Sequence, residues 1–261
     1  MPVAAASPIV EFDRHGAGPP LVLIHPLGAD GSVWGPVLGR LAATHDVIVP
    51  DLPGFGVSPP LDEPATPAAL AAAVAGLLDE LDTGPVHAVG NSLGGWVALE
   101  LALSGHASRV TAIAPAGLWA QPLAPKRGTA RKLAGLALPL LTRLAASDRG
   151  RRLLLASSVA HPDRVPADAA ERLVRSYATA PGLQAANEQM RAARFEALAA
   201  VDVPVTLAWP DRDRLVTRPR DLPAHVRNVT LTGCGHIPMW DDPEQVAALI
   251  EQPVPASGRH I

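Results

Sequence analysis

Gly90-Asn91-Ser92-Leu93-Gly94-Gly95 joins a short apolar run, Val86 to Val89, to a helix-like run, Trp96 to Leu103. The spacing is G-x-S-x-G, which reads as a serine held at a sharp strand-to-helix turn. Small residues two before and two after the serine let the backbone bend and lift the hydroxyl above a sheet. A plain Gly/Ser tight turn would carry the same six residues, so the chain on either side has to decide between the two.

Upstream, Leu21 to Ile24 and Val47 to Val49 are short, fully apolar runs. Leu70, Val74, Leu77, Leu78 and Leu81 recur at helical spacing, preceded by Thr66 and Pro67, which suit the N-cap and first position of a helix. Ser32 is placed to cap a shorter helix through Val37, Leu38 and Leu41. Ile9 to Asp13 alternates apolar and polar residues, and Gly16 and Gly18 turn the chain towards Leu21 to Ile24, which predicts an antiparallel hairpin at a sheet edge. Downstream, Val110 to Ala114, Val203 to Trp209 and Val229 to Leu231 continue the strands, and Pro243 to Ile250 forms a last helix. Strands alternating with helices imply an α/β fold with a mostly parallel central sheet flanked by helices on both faces.

Between Trp119 and Ala200 the strand pattern stops and helical segments follow, broken at Pro139, Pro162, Pro166 and Pro181. Leu133, Leu136, Leu140 and Leu144 form one apolar stripe there, and Leu173, Val174 and Tyr177 a weaker second one; packing against the body accounts for both better than a cofactor site does. The expected organisation is a core of residues 1–118 and 201–261 with a helical insertion at 119–200.

With 261 residues the chain can bury a sizeable core in one domain. A net charge of -3 and the lack of a polybasic run argue against nucleic-acid and membrane partners. Cys234, the single cysteine, excludes an internal disulfide and a cysteine-based metal site and suits a reducing cytoplasm. Met1 to Ser7 lacks the basic region of a signal peptide, and Leu133 to Ala146, the most apolar helical stretch, is interrupted by Pro139 and Arg143 and is too short to span a bilayer. A cytoplasmic protein acting on a small molecule is expected. No pattern in the chain speaks to its oligomeric state.

A serine hydroxyl is a weak nucleophile at neutral pH, so Ser92 needs a base within reach and the base needs an orienting carboxylate. Both belong on loops that follow strands, because ligands bind at the carboxyl ends of parallel strands. Gly233-Cys234-Gly235-His236 offers His236 as general base; His15, His45, His106 and His161 lie in polar loops, His87 in a strand, and His225 and His260 have no catalytic framing. Pro210-Asp211-Arg212-Asp213-Arg214 follows the strand ending at Trp209 and holds two carboxylates, between which spacing alone does not choose. An oxyanion developing on the substrate needs preorganised N–H donors. Leu93 supplies one, and the loop His25-Pro26-Leu27-Gly28 supplies the other at Leu27.

With these pieces together the chain resembles the α/β-hydrolase superfamily, in particular its small capped serine hydrolases. The motifs that carry the resemblance are His25 to Gly28, Asp51-Leu52-Pro53-Gly54-Phe55-Gly56, Gly90 to Gly95, Asp213 in a Trp-x-x-x-Asp context, and Gly233 to His236 followed by Asp242-Pro243. The resemblance implies a triad of Ser92, Asp213 and His236, favours Asp213 over Asp211, and makes residues 119–200 a cap above the site. Relatives that open epoxides or displace halide carry an aspartate at the elbow, so Ser92 points instead to carboxylic ester hydrolysis through an acyl-enzyme, with no cofactor and no metal. Pro210 and Pro26 stand where the family often has glycine. Carbon-carbon bond hydrolysis, enol-lactone hydrolysis and cofactor-free perhydrolysis use the same triad, and a non-catalytic ligand-binding member is the alternative of a different class. His25, Trp34, Asn91 and Trp119 are candidate pocket residues, with core packing an equally good account of each tryptophan.

Residues 119–200 hold 13 Lys/Arg and six Asp/Glu, against a total of -3 for the chain. The plain reading is electrostatic docking of the insertion on an acidic body; the sharper one is an arginine that attracts an anionic acyl substrate.

Overall fold

Strand β2 (Pro20–Ile24) and strand β4 (Val86–Asn91) run side by side in parallel, with Ile24 opposite Gly90. β3 (Asp46–Pro50) flanks β2, also in parallel, and β5 (Ala107–Ile113), β6 (Val205–Pro210) and β7 (Arg227–Leu231) extend the parallel sheet beyond β4. β1 (Phe12–His15) closes the other edge, antiparallel to β3. The computed structural model describes residues 10–124 and 137–253, and among them the strand order is β1-β3-β2-β4-β5-β6-β7. The chain steps outward from β2 to β3, then returns to β4 and proceeds the other way. In open parallel sheets the crevice beside such a reversal, at the carboxyl ends of the strands, is where ligands bind.

The apolar runs explain why these strands are central. Leu21 and Leu23 enter one core while Val22 and Ile24 enter the other, so β2 is covered on both faces. Helices α1 (Gly35–Leu41) and α8 (Pro243–Glu251) pack together on one face, and α2 (Pro67–Glu80) and α3 (Leu93–Leu103) cover the other. α3 is apolar nearly all round because it is wedged between the sheet and α2, and each fully buried Leu or Val there contributes about 1.5–3 kcal/mol relative to exposure. Thr66 caps α2 as its position predicts, its hydroxyl accepting the Ala69 N–H at 3.1 Å, with Pro67 in the first turn.

Two local expectations are corrected. The predicted hairpin between the first two strands does not form: β3 lies between them, because β1 is exposed along most of its length and can only occupy an edge, whereas β2 needs a parallel neighbour on each side. Ser32 is not the cap of the following helix. Asp30 caps a 3₁₀ turn at Gly31–Trp34 by accepting the Ser32 N–H at 3.0 Å, and that turn runs on into α1.

Between β5 and β6 the chain carries α4 (Leu138–Ala145), α5 (Asp148–Leu154), α6 (Ala167–Thr179) and α7 (Leu183–Ala192). Its prolines start elements more than they break them: Pro139 sits in the first turn of α4 and Pro166 is the N-cap of α6. Leu173 and Val174 pack against the core, as the second stripe predicts, while Tyr177 stays 49% exposed. Leu133 and Leu136 lie outside the described residues, and Leu140 is exposed. Among the described residues no helix is long and apolar enough to cross a membrane.

Candidate active site

Ser92 stands between β4 and α3 with φ +56° and ψ −115°, a conformation costly for a residue with a Cβ. The flanking glycines are required by space. A Cβ on Gly90 would lie 2.0 Å from the Gly94 carbonyl oxygen, and one on Gly94 would lie 2.2 Å from that of Ile24. Their absence lets α3 start directly against the end of β2, the strand that leads into the loop carrying Leu27. Ser92 donates its N–H to Ile113 at 2.9 Å, and its carbonyl accepts N–H groups from Trp96 and Ala116.

His236 follows β7, and Asp213 follows the neighbouring strand β6. Their side chains meet with Asp213 Oδ2 2.7 Å from His236 Nδ1, both nearly buried. A carboxylate can only accept, so Nδ1 carries a proton, and in the neutral imidazole Nε2 is the nitrogen with the lone pair. The other oxygen of Asp213 accepts the N–H groups of Leu215 at 2.7 Å and Val216 at 3.1 Å, which fixes the carboxylate from behind. Asp211, the rival left open by spacing, instead accepts the Gly233 N–H at 2.7 Å in an exposed position.

The elbow and the histidine loop are joined at the residue before the serine. Asn91 Nδ2 donates to the His236 carbonyl at 3.0 Å and to that of Ile113 at 3.1 Å. The Ser92 hydroxyl and His236 Nε2 form no hydrogen bond among the described residues, with each other or with another group. The N–H groups of Leu27 and Leu93 are likewise uncommitted among those residues, that of Leu93 as a first-turn helix donor. Burial, with nearby acidic residues, pushes the Cys234 thiol up to about 12, so this neighbour of His236 stays protonated and is no competing nucleophile.

The model of the alpha/beta hydrolase family matches residues 21–249. The chain belongs to the α/β hydrolase family. It is 34% identical over 187 residues to the epoxide hydrolase EphH of Mycobacterium tuberculosis, a match covering 66% of this chain and 87% of that protein. It is 45% identical over 96 residues to a pimeloyl-[acyl-carrier protein] methyl ester esterase of Aeromonas hydrophila, which spans only 36% of each chain. Among solved structures it resembles a thermophilic esterase from Thermogutta terrifontis (24% identity, TM-score 0.70, 92% of this chain and 91% of that one). The enol-lactonase from Burkholderia xenovorans LB400 is similarly close (22% identity, TM-score 0.73, 92% and 93%). At those identities the two structures attest the fold.

Within this α/β hydrolase three candidate pocket residues take internal roles instead. His25 is fully buried: Nδ1 donates to the Pro26 carbonyl and Nε2 accepts the Leu52 N–H, both at 2.9 Å, while its ring meets Phe55 edge-on. Burial holds it below its ordinary pKa, so it is neutral and braces the loop that carries Leu27. Trp34 lies wholly in the core. Asn91 is also fully buried, with Oδ1 unpartnered among the described residues. Trp119 is half-buried, donating to the Ala193 carbonyl at 3.0 Å and packing edge-on against Trp96. A surface concavity of about 780 Å³, lined by Pro36, Arg164, Arg172 and Trp240 among others, includes neither Ser92 nor His236. Among the described residues no group of three or more His, Cys, Asp or Glu could hold a metal ion.

The helical segment after β5 reaches several loops around the site. Tyr177 and Leu183 lie against Gly28, Gly182 donates its N–H to Gly54 at 2.8 Å, Phe195 to Gly117 at 3.0 Å, and the Ser176 hydroxyl donates to Asp30. Burial raises the Asp30 carboxyl, but the hydrogen bonds from Ser176 and Ser32 outweigh it and leave the group below its ordinary value. Among the described residues no Lys/Arg–Asp/Glu ion pair joins this segment to the body; Arg151, Arg172, Arg175 and Arg194 pair within it. Among the described residues, the contacts between this segment and the body include hydrogen bonds and close glycine approaches. Sequence reasoning missed Asp30 and Asp241, since an Asp beside a turn gives no sign of the long-range partner it will meet.

Proposed function

We propose that this hydrolase cleaves carboxylic esters of small molecules through an acyl-enzyme, with Ser92 as nucleophile, His236 as general base and acid, and Asp213 as the group that orients the imidazole. The observation that carries this reading is the 2.7 Å Asp213–His236 pair, tied through Asn91 to the serine elbow at the reversal of the sheet. Ser92 Oγ attacks the acyl carbonyl as Nε2 takes its proton. The N–H groups of Leu27 and Leu93 hold the oxyanion, and each such donor is worth about 10²–10³ in rate. The tetrahedral intermediate expels the alcohol, protonated by Nε2; water, deprotonated by the same nitrogen, then attacks the acyl-enzyme and releases the acid and Ser92. The chemistry draws on no cofactor. Residues 119–200 act as a cap that limits water and shapes the acyl pocket.

Although one relative is named an epoxide hydrolase, a serine nucleophile does not suit that reaction. Attack by an alkoxide on an epoxide carbon leaves an ether, which offers water no carbonyl, whereas attack on an ester or lactone leaves an acyl-enzyme that turns over. The test is a panel of short-chain p-nitrophenyl esters, an enol-lactone, an aryl epoxide and a dienone, with fluorophosphonate labelling mapped to Ser92. Ester turnover should dominate, and Ser92→Ala should lower it by about 10⁴ or more. Epoxide turnover that survives Ser92→Ala would sink the proposal.

A further inference from the structure

Asp241 is 2% exposed, and its carboxylate is satisfied wholly by backbone. Oδ2 accepts the N–H of Gly235 at 2.7 Å and that of Ala160 at 3.0 Å, and Oδ1 accepts the N–H of His161 at 2.7 Å. One body carboxylate thus holds the residue before His236 together with a strap of the inserted segment. The same strap reaches the residue after the histidine, where the Ile237 N–H donates to the Ser158 carbonyl at 2.7 Å. Arg164, further along the strap, donates to the Asp241 carbonyl at 2.7 Å. The approach is tight: a Cβ on Gly235 would lie 2.6 Å from the Ala160 nitrogen and 2.8 Å from the Val159 carbonyl carbon. Gly235, His236 and Ile237 are each gripped by a different partner, namely Asp241, Asn91 and Ser158.

We propose that Asp241 is a positioning residue which fixes the His236 loop by clamping it to residues 158–161, so that the base is aligned only while the inserted segment is seated. This rests on the reading of His236 as the general base. Buried charge-assisted bonds of this kind hold backbone firmly, because no water is at hand to replace them. The carboxylate lies behind the loop and takes no part in the chemistry. Its loss should therefore disturb proton transfer more than substrate binding.

The experiment compares wild type, Asp241→Ala, Asp241→Asn, Gly235→Ala and Asp242→Ala in the full chain. Steady-state hydrolysis of a p-nitrophenyl ester is normalised to sites titrated to completion with a fluorophosphonate. Asp242 is the control, since it caps α8 through the Gln245 N–H at 2.9 Å and, among the described residues, its carboxylate makes no hydrogen bond to residues 158–161 or 235–237. Asp241→Ala should lower kcat per titrated site by about 10- to 100-fold, the scale of a small misplacement of a reacting group. KM should stay within about threefold, as for an interaction made only in the transition state. Asp241→Asn, which keeps one accepting oxygen, should fall between, and Asp242→Ala should match wild type per site. Gly235→Ala should repeat the Asp241→Ala signature and serves as the decisive variant if Asp241→Ala does not fold. Wild-type kcat per site in Asp241→Ala, or in Gly235→Ala where that variant decides, would overturn the role of Asp241. A wild type that neither labels at Ser92 nor turns over esters would overturn the hydrolase reading itself.

Discussion

Replacing Asp213 by asparagine should disable turnover through the imidazole tautomer, and the structure says why neither orientation of the amide escapes. Asp213 Oδ1 accepts two backbone N–H groups, from Leu215 and Val216, while Oδ2 accepts from His236 Nδ1. If the asparagine keeps its oxygen towards the two N–H groups, its NH₂ faces Nδ1. The imidazole must then accept there and carry its proton on Nε2, where it can no longer take one from Ser92. If the amide flips, the tautomer is preserved, but the NH₂ meets two N–H donors that are left without partners. The first orientation satisfies more groups and should dominate. The expected loss in kcat is about 10⁴-fold, the scale of a wrong-tautomer histidine, or roughly 5.5 kcal/mol of transition-state stabilisation. Fold stability should drop by only about 1–3 kcal/mol, as a charge-assisted bond becomes a neutral one. Asp211→Asn makes the contrast, because among the described residues its carboxylate accepts only the Gly233 N–H, in an exposed position. It should leave kcat within about threefold, as for a surface change outside the machinery. The assay is ester hydrolysis beside denaturant unfolding. Retention of more than about a tenth of wild-type kcat in Asp213→Asn, or an equal loss in Asp211→Asn, would refute the tautomer reasoning.

Gly28 has φ +79°, and a Cβ there would lie 2.7 Å from Tyr177 Cδ2. Gly28→Ala should cost about 1–2 kcal/mol from the backbone and a further 1–3 from overpacking. Adding Tyr177→Ala should recover only the packing share in denaturant melts. His25 and His87 are both held below their ordinary pKa, chiefly by burial, so each stays neutral in the folded chain when the unfolded chain takes up a proton. Their contribution to stability is complete above the unfolded value of about 6.5 and is lost as pH falls below it, by up to about 1.4 kcal/mol per pH unit for each histidine. Urea unfolding between pH 7.5 and 5 should show this slope, and His87→Leu should remove one histidine's share; an unchanged slope would contradict the assignment.

Much of this architecture is legible in the sequence. The helix from Pro67 and the run from Val86 into Ser92 are written in local periodicity, capping and glycine spacing, each of which involves neighbours only a few positions apart. Gly16 and Gly18 signal a turn but not where the chain goes afterwards, so the pairing of β1 with β3 is not written in that stretch. Asp30 and Ser32, two residues apart, both suit a cap, and sequence does not rank them; in the fold Asp30 accepts the Ser32 N–H. His25 and Asn91 sit within the candidate motifs of the chain and Trp34 a few residues past the first of them, yet all three are buried.

From sequence alone came an α/β chain with a serine at a strand-to-helix elbow, a histidine on a glycine-flanked loop, and acidic candidates after the preceding strand. Those are matters of local pattern, and a turn or an amphipathic run needs few residues to specify it. The tertiary structure decided that Asp213 and not Asp211 meets the histidine, that β2 lies against β4 with Ile24 opposite Gly90, and that Asp241 binds the histidine loop to the inserted segment. Such choices depend on which loops converge at one end of the sheet. Partners 23 residues apart for Asp213 and His236, or 81 apart for Ala160 and Asp241, leave no periodicity for a sequence to display.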